Sequence, residues 1–156
     1  MSEEQNQQFA IQKIYLKDVS FESPNSPQAF MGSDWQPNIN VHLNTINNKL
    51  SEGVYEVVLD ITVTAKQNDS TAFLVEVKQA GIFTIDGFPD DALGGMLGAF
   101  CPETLFPYAR EAVSELVVKG GFPLLALAPV NFNAMYQNQL NQKQEGQKPA
   151  ESEAAH

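Results

Sequence analysis

Cysteine is almost absent from this sequence: Cys101 stands alone, so no internal disulfide can form and a reducing, cytoplasmic setting is expected. Histidine is nearly as scarce, with His42 inside the chain and His156 at its end. One thiol and one internal imidazole cannot supply a zinc cage, and neither a metal nor a cofactor is expected. Positive charge is thin as well, nine Lys and Arg against nineteen Asp and Glu, for a formal net charge of -10. That balance argues against nucleic acid and anionic membranes and favours basic partners. No run reaches the roughly 18 apolar residues that span a bilayer, so direct membrane insertion is not expected. The opening MSEEQNQQF is polar and acidic, unlike a secretory signal with its basic start and apolar centre.

Apolar side chains are plentiful, at 43% of 156 residues with ten phenylalanines, enough for one core. Residues 1–8 read as a disordered tail, 9–140 as a single domain and 141–156 as a second disordered tail. FAIQKIYLKDVSFES mixes branched and aromatic residues with charges, which suits a long, bent strand. SPNSPQAFMGSDWQP, with its prolines, reads as an ordered aromatic loop. Ile39, Val41 and Leu43 alternate with Asn40, His42 and Asn44, a strand with one apolar face, and NNKLSEG reads as the turn after it. In YEVVLDITVTAK, Tyr55, Val57, Leu59, Ile61 and Val63 share a face. QNDS turns the chain into TAFLVEVKQAGIFTI, and the short connections imply an antiparallel meander.

The character then changes. Asp90 or Asp91 caps a first helix rich in glycine, which Pro102 ends. TLFPYAREAVSELVVKGG predicts the main helix, with Pro107 near its start, Gly120 and Gly121 at its stop, and a stripe of Tyr108, Ala112, Val113, Leu116 and Val117. After an apolar loop, NFNAMYQNQLNQ predicts a last helix capped by Asn131 or Asn133. Strands first and helices after make the class α+β: a four-stranded antiparallel sheet with two or three helices packed on one face.

No catalytic constellation emerges. His42 lies on a polar strand face, and Cys101 has no basic neighbour in the sequence to activate it. GGMLG lacks the Lys-Ser/Thr of a phosphate loop. Asp86, Asp90 and Asp91 are explained by turns and caps. Two other features remain. Phe30, Met31, Trp35, Phe122, Leu124, Leu125, Leu127, Val130 and Phe132 lie in irregular segments, and either pack in loops and oligomer contacts or line a groove for extended polypeptide. Leu74 falls opposite Phe73, Val75 and Val77, among Glu76 and Lys78; it is either incidental or the apolar centre of an acidic contact that includes Asp18 and Glu22.

Taken in order, IYLKDVSFESPNSP, DWQPNINVHL, YEVVLDITVTA, GIFTI, FPYARE and FPLLALAPVNF closely resemble the SecB family of bacterial protein-export chaperones, from about Phe9 to Leu140. The resemblance implies a non-enzymatic, ATP-independent holdase. It would be a homotetramer, a dimer of dimers, that holds unfolded precursor proteins and delivers them to the SecA motor. An alternative within the same likeness is a chaperone dedicated to one client, such as a toxin–antitoxin partner. The implied client groove has an aromatic part, carried onto Phe30, Trp35, Phe106, Tyr108, Phe132 and Tyr136. Its aliphatic part maps onto Ile39, Val41, Leu43, Leu124 and Leu127. The implied SecA site is Asp18, Glu22, Leu74 and Glu76, facing SecA's basic zinc-binding C-terminal tail, so that any zinc belongs to the partner. Val75, Val77 and Gln79 are implied on the opposite, buried face, where changes disturb assembly or substrate binding. MGSDW carries one residue more than familiar relatives, and VEVKQAG has valine where some have cysteine.

Overall fold

A computed structural model describes residues 6–32 and 34–146. Four strands form one antiparallel sheet: β1 (Gln8–Glu22), β2 (Asn38–Ser51), β3 (Val54–Gln67) and β4 (Ser70–Asp86), in the order β1-β4-β3-β2. The meander holds for β2, β3 and β4. β1 instead lies beside β4, because the long aromatic segment 23–37 carries the chain from one edge of the sheet to the other. That segment is tied to the β3–β4 hairpin. Asn25 Nδ2 donates to the Thr71 carbonyl at 2.9 Å, and the Gln36 backbone N–H donates to Gln67 Oε1 at 2.9 Å.

The bend expected in β1 has a clear cause. Its apolar residues fall at Phe9, Ile11, Ile14, Leu16, Val19 and Phe21, alternating steps of two and three. The register against β4 shifts between Ile11 and Lys13 and again between Leu16 and Asp18. Each extra residue is a bulge that turns the next apolar side chain back to the same face. The β3–β4 hairpin does likewise. Asn68 and Asp69 have φ of 53° and 62°, as a tight hairpin turn requires, and the register shifts between Ala65 and Lys66. This bulge keeps the apolar faces of β3 and β4 aligned.

β2 runs further than its sequence suggests. NNKLSEG is not a turn throughout: its first residues pair with β3 up to Ser51, and the chain reverses only at Glu52 and Gly53, where Gly53 has φ +71°. Polar residues suit this solvent-facing edge as well as a loop.

The helical part also departs from expectation. Pro89, not Asp90 or Asp91, occupies the cap of α1 (Asp90–Gly95), and neither aspartate makes a side-chain cap bond. Pro102 does not end the helix. α1 passes through a π-helical turn, Met96–Phe100, into α2 (Cys101–Lys119), where Pro102 sits in the first turn and Pro107 lies inside. Pro102 follows directly on the π-helical turn, an irregularity of the kind at which a residue without an N–H can be accommodated. α2 buries Leu105, Ala109, Val113 and Val117 on the sheet, while Tyr108, assigned to the stripe, is 49% exposed.

The core lies between α2 and one sheet face, where Val57, Leu59, Ile61 and Val63 of β3 meet Phe73, Val75 and Val77 of β4. Helix α3 (Phe132–Gly146) starts under an Asn131 cap, whose Oδ1 accepts the Ala134 N–H at 3.0 Å. It continues past Leu140, so residues 141–146 are helical rather than tail. At the other end Gln8 already belongs to β1. The rest of both expected tails, residues 1–5 and 147–156, lies outside the described residues apart from Asn6 and Gln7.

Candidate functional site

The bulges in β1 have a consequence on the other side of the sheet. With its apolar residues turned to α2, Asp18, Ser20 and Glu22 face outward beside Lys78, Glu76 and Leu74 of β4. Continuing across β3 and β2, three rows form. They are Asp18–Lys78–Asp60–Asn44, Ser20–Glu76–Thr62–His42 and Glu22–Leu74–Thr64–Asn40. Asp18, Glu22, Leu74 and Glu76, far apart in sequence, therefore share one open face, with Leu74 as its single apolar member. Sequence reasoning placed Lys78 beside Leu74 but did not join Asp60 to the site; register sets the two opposite each other in the row that begins with Asp18.

Charge on this face is incompletely balanced. Lys78 Nζ stands 3.8 Å from Glu76 Oε1, and both side chains are 38% exposed. Asp60 Oδ1 is buried without a hydrogen-bond partner. Partial burial raises the Asp60 pKa above the usual value, repulsion from Glu76 adds to that, and Lys78 works against it. Beyond the array, Tyr15 donates to Glu56, which also pairs with Lys17 at 2.9 Å. Burial and that carboxylate push the Tyr15 phenol up to about 12.

Val75, Val77 and Gln79 point the opposite way and are buried. Gln79 is the one buried polar side chain among the described residues, and its Nε2 donates to the Tyr15 carbonyl at 3.0 Å. Val75 and Val77 belong to the core, and Gln79 holds β4 to β1 through this bond.

On the α2 side, an aromatic cluster centres on Phe122. α2 ends with Gly121 at φ +91°, the Gly121 N–H bonded to the Val118 carbonyl and the Phe122 N–H to the Val117 carbonyl. This Schellman arrangement folds the chain back and drops Phe122 onto the sheet. Its ring centroid lies 4.9 Å from Phe30, 5.4 Å from Trp35, 5.0 Å from Phe73 and 6.4 Å from Phe21. Phe21 and Phe30 occupy the space that side chains at Gly120 and Gly121 would need. Phe122 and Phe73 are buried, whereas Phe30 remains 49% exposed and keeps the cluster open. Behind Trp35 a cleft of about 240 Å3 runs between the crossover segment and the β3–β4 turn.

The six aromatic residues assigned to the groove do not form one patch. Phe30 and Trp35 belong to the Phe122 cluster. Phe106 and Phe132 form a separate buried pair 5.5 Å apart, with Arg110 over the Phe106 ring. Tyr108 stands on the outer side of α2, and Tyr136 packs where side chains on Gly94 and Gly98 would go. Phe21 and Phe73 were not assigned to it, and Phe122 was named only among the apolar residues of the irregular segments; a glycine pair followed by an aromatic residue is the signal that points to its central place. Of the aliphatic set, Ile39 and Val41 are exposed on the α2 side of β2, with Leu43 partly buried beside them. Leu124 is exposed, while Leu127 is buried. The loop between them is fastened to α2 by the Ser114 hydroxyl, which donates to the Leu125 carbonyl at 2.6 Å.

The arrangement offers surfaces rather than a reaction centre. Cys101 is buried, and desolvation pushes its thiol up to about 12, which leaves no thiolate for chemistry at neutral pH. No group of His, Cys, Asp and Glu among the described residues is placed to hold a metal ion, and no described helix is long and apolar enough to cross a membrane.

A family model described as Preprotein translocase subunit SecB matches residues 2–143. The chain belongs to the SecB family. It is 57% identical over 141 residues to the protein-export protein SecB of Nitrosococcus oceani, covering 90% of this chain and 86% of that protein. To SecB of Methylococcus capsulatus it is 54% identical over 153 residues, covering 96% and 98%. Among solved structures, a Mycobacterium tuberculosis SecB-like chaperone in complex with an antitoxin peptide superposes with a TM-score of 0.64. The identity there is 16%, over 78% of this chain and 90% of that one, a likeness of fold. As a SecB protein, the chain is a protein-export chaperone and not an enzyme.

Proposed function

We propose that this SecB protein works in the cytoplasm as a homotetrameric, ATP-independent holdase that captures unfolded precursor polypeptides and hands them to the SecA motor. The observation that carries this is the division of labour across the sheet. One side presents exposed apolar and aromatic groups, Phe30, Ile39, Val41 and Leu124, around a preformed aromatic cluster. The other presents acidic residues around Leu74.

An unfolded chain exposes apolar side chains and unpaired backbone groups. An open apolar strip beside polar strand edges matches both. Each apolar contact contributes about 1 kcal/mol, and repetition over four subunits raises retention through effective concentration. No nucleotide is needed, because selection is kinetic: a chain that folds quickly has buried its apolar segments before capture. Asp18, Glu22 and Glu76 suit a basic partner, with Leu74 as its apolar anchor and carboxylates as the rim. The zinc-binding tail of SecA has that chemistry, and its metal remains with the partner.

Titration of an unfolded precursor into the purified protein, with native mass for stoichiometry, tests the holdase. A folded tetramer that binds no precursor would sink it. Leu74→Gln and Glu76→Lys are each expected to weaken binding of the SecA tail by about tenfold, near 1.4 kcal/mol, and to leave precursor binding unchanged. Equal loss of both interactions would show that the two surfaces are not separate.

A further inference from the structure

Lys78 is the only Lys or Arg in the three rows on the outer sheet face. It lies directly opposite Asp18 on one neighbouring strand and Asp60 on the other, with Glu76 two residues along on the same face. Cross-strand pairs of this kind hold side chains within about 5.5 Å at their Cβ atoms. Three carboxylates thus surround one ammonium. The contact recorded, 3.8 Å to Glu76, is long for an ion pair, and Asp60 Oδ1 is left without a hydrogen bond. Of the three carboxylates only Glu76 has the Lys78 ammonium within 4.0 Å, so Asp18 and Asp60 face it across the strands without a direct contact.

We propose that Lys78 is a specificity-determining residue that acts as an intramolecular competitor, screening Asp18, Asp60 and Glu76 until a densely basic segment displaces it. This rests on the reading of the face as a docking site for a basic tail. A lysine has a stem of four carbons and no fixed fork, so it can swing into solvent at little cost when displaced. The pair it gives up is half-exposed and weak. A partner carrying one or two scattered charges gains little by replacing it. A partner that places several cations over the rows satisfies Asp18, Asp60 and Glu76 together, and the orphaned Asp60 oxygen gains a donor. Lys78 thereby filters out weakly basic chains, including stretches of the unfolded clients, from a face that is otherwise attractive to any cation.

The test is calorimetric titration of the zinc-loaded SecA tail peptide, and separately of an unstructured peptide with two lysines, into the full chain and its variants. Lys78→Gln is expected to tighten tail binding about fivefold at low ionic strength and to tighten the weakly basic peptide by more, so that selectivity narrows. Both gains should vanish near 1 M salt, where the screening length is about 3 Å. Lys78→Met keeps the stem and should behave like Lys78→Gln. Lys119→Gln removes the same charge from α2, far along the chain, and is expected to change nothing. The proposal is overturned if Lys78→Gln leaves affinity unchanged or lowers it, or if Lys119→Gln produces the same gain. Glu76→Lys in the same series separates the two readings: if it binds the tail as well as the natural protein, the docking face is wrong and the competitor falls with it.

Discussion

At Asp60 and Glu56, two carboxylates on the same sheet face, the surroundings push in opposite directions. Asp60 is raised above its ordinary pKa by burial and by repulsion from Glu76 and Asp18, against the pull of Lys78 and His42. Its folded state favours the neutral acid, so its contribution to stability is full below the ordinary carboxylate value and lost as pH climbs through the raised one. Asp60→Asn is therefore expected to raise the Tm at pH 7, by the equivalent of about 1 kcal/mol or less, with the gain shrinking at pH 3. Glu56 is lowered by the hydrogen bond from Tyr15 and then by Lys17. Its contribution is present above the ordinary value and disappears as pH falls through the lowered one. Glu56→Gln should cost about 1–2 kcal/mol at pH 7 and flatten the acid side of the stability profile, as read by thermal melts from pH 3 to 7. Cys101, with its thiol pushed up to about 12, should react with a thiol reagent only after the protein is unfolded.

Whole elements are held by a few close approaches. The C-terminal turn of α2 depends on Gly121 at φ +91°, a conformation that an L side chain adopts only with strain. Phe122, which that turn delivers, touches four other aromatic rings, so Phe122→Ala should cost about 3–5 kcal/mol and also loosen Phe30 and Trp35. Denaturant melts together with tryptophan emission of Trp35 measure both effects. Helix α3 rests on the π-helical turn through Tyr136, whose ring fills the space over Gly98. Gly98→Val is expected to dislodge α3. Hydrogen exchange should rise in residues 132–146 while β3 and β4 keep their protection.

Across the whole molecule, many large apolar side chains remain exposed. Ile11, Leu16 and Val19 line the α2 side of edge strand β1, and Phe100 and Val118 are exposed on the helical layer. An edge strand with unpaired backbone groups and exposed branched side chains is a ready template for another chain. The tetramer proposed above would cover part of that surface. Leu16→Glu with Val19→Lys is then expected to shift native mass from tetramer to dimer or monomer without loss of the fold, because neither side chain lies in the core. An unchanged tetramer would mean that assembly uses another surface.

The sequence by itself determined the class of the fold, the two faces of β2, β3 and β4 and the family, and narrowed the last cap to Asn131 or Asn133, since periodicity, turn chemistry and ordered motifs are local properties of the chain; the structure selected Asn131. It also held the pattern that demands bulges in β1, because steps of two and three along Phe9, Ile11, Ile14, Leu16, Val19 and Phe21 cannot share a face otherwise. Only the tertiary structure decided that β1 crosses to pair with β4, since a long irregular segment is compatible with either edge. That pairing is what sets Asp18 against Lys78 and Glu22 against Leu74, and makes an acidic face from strands more than fifty residues apart. The prolines misled for a related reason. Whether Pro102 ends a helix or opens its first turn depends on the π-helical turn before it and on the sheet beneath, which a local reading does not contain. The aromatic residues assigned to one groove separated on the same ground: ring contacts are made across the fold, and sequence spacing carries no distance between them.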